Sequence, residues 1–292
     1  MKKLSVFLLI ISLLLAGCAQ SDSYDVVATT LPVYDFTASL CRDTDLTVGR
    51  LVTESVSCLH DYTLQVSQMR MIEGADTVVI SGAGLEAFLE DALHGSESVI
   101  DASADTHIHA GDHHHDHEAH HDHGHDHEND PHIWLSPENA KIMAKNICHG
   151  LEEIYPEYKD VFHNNLTSLL KQLEDVQEYG TSQLSQLNCR ELITFHDGFA
   201  YLAESFDLTI LQAIEEESGS EASAAEIIHL VELIDTHNLP AVFIERSGSD
   251  ACAGIIGSET GTAIYTLDMA IAGNSYFDAM YHNIDTLKEA LG

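Results

Sequence analysis

The stretch Thr77-Val78-Val79-Ile80-Ser81-Gly82-Ala83-Gly84-Leu85-Glu86-Ala87-Phe88-Leu89-Glu90-Asp91-Ala92-Leu93 decides the fold class. Its first residues are a short apolar run rich in β-branched side chains, the pattern of a strand covered on both faces. Gly82-Ala83-Gly84 ends that run. Residues 85–93 then set apolar and acidic side chains on opposite sides of a helical period, which predicts an amphipathic helix. Residues 98–101 read as another strand. Strand, glycine turn, helix and strand make a βαβ unit, and such units call for a parallel sheet.

The alternation continues outward in both directions. Upstream, residues 26–30 predict a buried strand, Pro32 opens a helix to about residue 40, residues 45–52 read as a strand and 65–73 as a helix. Downstream, a long helical stretch runs from Pro137 to about residue 179. Pro137 suits a first helical turn, and Pro156 is expected to kink or break the helix. Strands follow at 191–195, 208–213, 241–244 and 263–267, with helices at 199–206, 223–237, 250–257 and 275–291. The expected class is therefore α/β: two α/β lobes with mainly parallel sheets, over residues 24–136 and 181–292, joined by a long helix over 137–180. The lobes repeat an architecture without a visible repeat of sequence.

Residues 102–130 break the pattern. They hold His107, His109, His113, His114, His115, His117, His120, His121, His123, His125 and His127, interleaved with Asp and Glu. Almost nothing there is apolar, so the tract cannot bury a core and reads as a loop. Its imidazoles suit collecting or sensing a transition metal; the plainer reading is a solvated polar insert.

At the start of the chain, Lys2 and Lys3 precede an apolar run over residues 4–15, too short to span a bilayer. This reads as an export signal, residues 1–17. It ends in Leu15-Ala16-Gly17-Cys18, a bacterial lipoprotein cleavage pattern. Cys18 is the expected lipidation site, with residues 18–23 as a tether holding the protein at the outer face of the cell membrane. The formal net charge of −36, from 48 Asp+Glu against 12 Lys+Arg, repels nucleic acid and anionic lipid headgroups, so no nucleic-acid partner is expected. Five cysteines remain after Cys18: Cys41, Cys58, Cys148, Cys189 and Cys252. The number is odd, so at least one thiol is free or pairs outside the chain. Cys41–Cys58 is the first pairing expected, because both flank one short α/β segment.

Four residues outside the histidine tract carry the sharper signal. His60 sits between a strand and a helix, His132 where the chain re-enters ordered structure, His196 after the strand at 191–195, and Asp268 after the strand at 263–267. Three of the four stand at C-terminal ends of strands, where open α/β sheets place ligands, and each lobe supplies two. Taken singly, each is more often a satisfied or capping residue than a ligand. Taken together, beside the histidine tract, they point to one transition-metal ion in the interlobe cleft. Glu245 and Arg246 are either structural or cleft-facing, and Glu215-Glu216-Glu217 reads as an acidic loop.

At these residues the chain resembles the zinc-binding lipoproteins that feed ABC transporters, within the cluster A-I family of zinc and manganese solute-binding proteins. Asp130-Pro131-His132-Ile133-Trp134-Leu135-Ser136-Pro137, Phe195-His196-Asp197-Gly198-Phe199-Ala200-Tyr201 and Gly82-Ala83-Gly84-Leu85-Glu86 are similar to three of its motifs. The resemblance implies Zn²⁺ held by His60, His132, His196 and Asp268, a monomer, and an ABC membrane permease with its ATPase as partner. The long helix would restrict hinge motion. Manganese members usually carry Glu as the third ligand; His196 here suits zinc better. One segment departs from the pattern: Ser57-Cys58-Leu59-His60-Asp61-Tyr62-Thr63-Leu64 lacks the prolines that flank the first ligand in the family. A manganese-binding homologue, a zinc buffer or adhesin working through the histidine tract, and an exported zinc enzyme are the alternatives. The last lacks any His-Glu-x-x-His or nucleophile motif, so no catalytic residue is expected.

Overall fold

The computed structural model describes residues 23–54, 59, 62–93, 98–109, 129–214, 223–246 and 251–292. In the first lobe β1 (Val26–Ala28), β2 (Val48–Arg50), β3 (Thr77–Ile80) and β4 (Val99–Asp101) pair in the order β2-β1-β3-β4, all parallel. In the second, β5 (Glu191–Thr194), β6 (Thr209–Ala213), β7 (Ala241–Glu245) and β8 (Ala263–Leu267) pair in the order β6-β5-β7-β8, again all parallel. The two sheets therefore share one topology, as the alternation of elements predicts.

Helices cover both faces. The first lobe carries α1 (Leu31–Leu40), α2 (Val66–Glu73) and α3 (Glu90–Leu93). The amphipathic stretch expected at 85–93 is a 3-10 turn at Ala87–Leu89 running into the four residues of α3, because Glu86 turns inward to hydrogen-bond the glycine turn before it. Next come α4 (Pro137–Ile154) and α5 (Lys159–Gln183), then α6 (Ala200–Ser205), α7 (Ala224–His237), α8 (Ala251–Thr260) and α9 (Tyr276–Leu291). Ser136 caps α4 through the Asn139 amide, with Pro137 in the first turn.

The helical stretch from Pro137 is two helices and not one rod. The proline ring at Pro156 removes a helical hydrogen bond, and a 3-10 turn at Pro156–Tyr158 reverses the chain. Helix α5 then runs back along α4, so Lys141 near the start of α4 pairs with Glu174 late in α5 at 2.5 Å. Helix α5 is the one that spans both lobes. Its first half caps α1, where Asn165 donates to the Leu40 and Arg42 carbonyls, and its second half meets α9, where the Tyr179 hydroxyl donates to Asp285 at 2.7 Å.

Alternate residues of each central strand face different layers. Val26, Ala28 and Val79 of the first sheet, with Leu192, Ala241 and Phe243 of the second, join one core that is continuous across the lobes. Val27 and Val78 face a separate outer cluster, and Ile193 and Val242 face another. Trp134 sits at the junction, fully buried, and donates its indole N–H to the Met269 carbonyl at 2.8 Å. The Tyr276 hydroxyl returns a bond to the Trp134 carbonyl at 2.8 Å, and the Leu31 amide donates to the Ile271 carbonyl at 3.1 Å. Burial of each large apolar side chain in this seam is worth roughly 2–3 kcal/mol. Among the described residues, no helix is long and apolar enough to cross a membrane.

Candidate metal centre

Each sheet reverses its strand order once, between β1 and β3 and between β5 and β7. The crevice beyond the carboxyl ends of those strands is where such sheets take ligands. In the first lobe the crevice is filled from within. The Glu86 carboxyl accepts from the Thr29 hydroxyl at 2.6 Å and from the Ser81 and Gly82 amides at 2.7 and 3.0 Å. Burial pushes its pKa up to about 7. The Gly82 backbone, at φ +80°, leaves no room for a Cβ, which would fall 2.0 Å from an Asp101 carboxylate oxygen.

The second crevice holds chemistry instead. His196 follows β5, and Glu245, the last residue of the neighbouring β7, is 4% exposed. The His196 Nδ1 lies 3.6 Å from Glu245 Oε2. His132 enters from the other lobe, 3% exposed, immediately before the turn that seats Trp134. The two imidazoles meet edge to face, with ring centroids 5.3 Å apart and planes at 83°.

His132 is held in one orientation. Asp130 Oδ1 accepts from the His132 amide at 2.9 Å and lies 2.8 Å from its Nδ1. An ionised carboxylate only accepts, so Nδ1 carries the hydrogen and Nε2 keeps a lone pair for a metal. Asp130 is itself fixed. Its carbonyl accepts from the Tyr201 hydroxyl at 2.7 Å, and its amide donates to the His109 carbonyl at 3.1 Å. Burial raises the pKa of that tyrosine, so the hydroxyl keeps its proton. Gly198 lies between the two rings: a Cβ there would stand 2.9 Å from His132 Nδ1, 2.8 Å from His196 Cδ2 and 2.5 Å from Met269 Cε.

Asp268 stands at a strand end, where the sequence expectation puts it, with its carboxylate paired to Arg246. It follows β8 and is locked to α9 by a reciprocal pair with Asn283: the Asp268 amide donates to Asn283 Oδ1, and Asn283 Nδ2 donates to the Asp268 carbonyl, both at 2.7 Å. One carboxylate oxygen accepts from the Ala270 amide, and the other pairs with Arg246 Nε at 2.8 Å. Among the described residues, Asp268 does not converge with His132 and His196 to within 4.8 Å; the group of three candidate ligands that does converge is His107, His109 and Glu204.

His60 and Cys58, the histidines from His113 to His127, Glu215-Glu216-Glu217 and Cys18 lie outside the described residues. Cys41 is a buried free thiol whose pKa burial pushes up to about 12, so the expected Cys41–Cys58 bridge is not made. Glu245, left open on the sequence between a structural and a cleft-facing role, faces His196. The orienting role of Asp130 was not read from the sequence, although an acid two residues before a ligand histidine is a usable signal.

The chain is similar to known proteins in sequence and in fold. The chain is 28% identical over 310 residues to the zinc-binding lipoprotein AdcA of Streptococcus pneumoniae, an alignment covering 99% of this chain and 61% of the relative's length. It is 29% identical over 302 residues to the high-affinity zinc uptake system protein ZnuA of Bacillus subtilis, covering 96% of this chain and 94% of that protein. The crystal structure of the Zn(II)-bound ZnuA-like domain of Streptococcus pneumoniae AdcA superposes with a TM-score of 0.76 at 26% identity, covering 92% of this chain and 99% of that one. The family described as ZnuA, zinc-uptake complex component A, periplasmic, matches residues 26–290, and the chain belongs to it.

Proposed function

We propose that the chain is an extracytoplasmic solute-binding protein, not an enzyme, that captures one Zn²⁺ between its lobes and delivers it to the permease of an ABC importer driven by a cytoplasmic ATPase. The observation that carries this reading is the apposition of His132 and His196 across the lobe boundary, each with a carboxylate at its Nδ1 side. Two imidazoles, one with its Nδ1 hydrogen-bonded to Asp130 and the other with Glu245 3.6 Å from its Nδ1, are a donor set suited to a borderline metal. His60 supplies the third imidazole. Asp268 completes the set by exchanging its Arg246 ion pair for the metal, a step that couples capture to movement of the β8–α9 end of the second lobe. Export and lipidation at Cys18 keep the protein at the membrane as a monomer, and the histidine tract gathers zinc beside the cleft. Zinc-binding relatives support the choice of metal.

The test is a zinc titration against a competing chelator, using the full chain and its His132→Ala/His196→Ala variant. The reading expects a tight single site that the double substitution weakens at least a hundredfold. Equal affinity in the two proteins would overturn it.

A further inference from the structure

We propose that His107, His109 and Glu204 form a second Zn²⁺ site, exposed at the neck of the histidine tract and bridging the two lobes. It stands apart from the interlobe site and does not depend on it. The three side chains each offer a ligand atom, and those atoms lie within 4.8 Å of one another. His109 Nε2 is 2.9 Å and His107 Nε2 3.7 Å from the same Glu204 oxygen, and the imidazole centroids are 4.9 Å apart.

The backbone that carries the histidines is fixed. Asn139 accepts from the His107 amide at 2.9 Å and donates to the His107 carbonyl at 2.8 Å. The His109 amide donates to the Tyr201 hydroxyl at 2.9 Å, and its ring packs on the Tyr201 ring at 4.4 Å. Tyr201 and Glu204 stand three apart on α6 and so share a face of that helix. The carboxylate is therefore delivered to the histidines by the same helix that pins them.

The chemistry fits zinc. Two neutral imidazoles and one carboxylate make three of a tetrahedral set, with water as the fourth ligand. An ion entering the cluster would bind each donor at about 2.0–2.2 Å, and the buried His109 Nε2 makes no hydrogen bond that it would have to break. The side chains of His107 and Glu204 are 63% and 59% exposed, so ions reach the site from solvent and bind more weakly than in the cleft. Its position has a consequence. His107 and His109 belong to the first lobe, Glu204 to the second, and Tyr201 links His109 to Asp130, which orients His132. An ion here clips the lobes together beside the cleft.

The experiment uses the full chain with the nine histidines from His113 to His127 changed to Gln, so that they contribute no imidazole ligands. Zinc stoichiometry is measured by equilibrium dialysis, and ion positions by anomalous scattering at the zinc edge. Two ions per chain are expected, the weaker one lost in His107→Ala/His109→Ala and weakened about tenfold or more in Glu204→Gln. A zinc peak within bonding distance of His107, His109 and Glu204 supports the proposal even if His132→Ala/His196→Ala changes nothing, and that combination would sink the interlobe reading alone. A single ion that His132→Ala/His196→Ala removes and His107→Ala/His109→Ala spares overturns the second site, as does the absence of a peak there.

Discussion

Replacing Gly198 by alanine tests whether the two histidines act as a preset pair. The added Cβ would stand 2.8 Å from His196 Cδ2 and 2.9 Å from His132 Nδ1. Met269 Cε, at 2.5 Å, is the tip of a flexible side chain and can swing away. The rings cannot yield so easily, because Asp130 holds one and Glu245 stands against the other. To reach ordinary contact each ring must move by roughly half an ångström. Zinc–nitrogen bonds near 2.0–2.1 Å tolerate about 0.2 Å of error. Two displaced ligands therefore cost about 1.4–2.8 kcal/mol of binding, a loss of roughly ten- to a hundredfold in affinity. Overpacking costs a further 1–3 kcal/mol of folding stability, roughly. Chelator competition gives the first figure and denaturant unfolding of the metal-free protein the second. A Gly198→Ala protein that stays folded and binds zinc within twofold of the parent would refute the reasoning.

Asp130→Ala frees His132 Nδ1 and its backbone amide; zinc affinity should fall about 10–100-fold in the same competition assay. Glu86 has a folded pKa of about 7 against 4.5 as its ordinary value, so the folded chain binds this proton more tightly than the unfolded one. Its contribution is fully present below about pH 4.5 and is lost as pH rises through about 7, amounting to about 3 kcal/mol. Glu86→Gln should flatten that part of the stability–pH curve, and parallel parent and variant curves would count against the assignment. Trp134→Phe leaves the Met269 carbonyl without its donor and opens space in the seam between the lobes; a loss of about 2–4 kcal/mol in denaturant unfolding is expected. A smaller loss than 1 kcal/mol, roughly, would mean that the seam repacks.

Much of the architecture is local and was therefore readable. A strand such as Val26–Ala28 or Ala241–Glu245 is an apolar run short enough to be a buried parallel strand, and the positive φ angles at Gly82 and Gly84 are ones that glycine announces. The motif Asp130-Pro131-His132 marks its histidine in the same way, since the acid that orients the ring is two residues off. The break at Pro156 is local chemistry too, but the direction taken after it is not. That α5 returns along α4 follows from which apolar faces meet, as the Lys141–Glu174 contact shows.

The order of the chain is enough for the class, the element boundaries to within a few residues, and the residue types that could bind metal. It suggests which of them share a site but not the distances and partners they have there. His132 and His196 lie far apart in the chain and touch because the β5–β7 crevice faces the Trp134 turn, while Asp268, equally well placed at a strand end, is turned onto Arg246. His107 and His109 looked like the first members of a long polar tract, and they converge on Glu204 because Asn139 and Tyr201 hold their backbone against the second lobe. A metal site is a set of distances between side chains on different elements, and packing is what sets those distances.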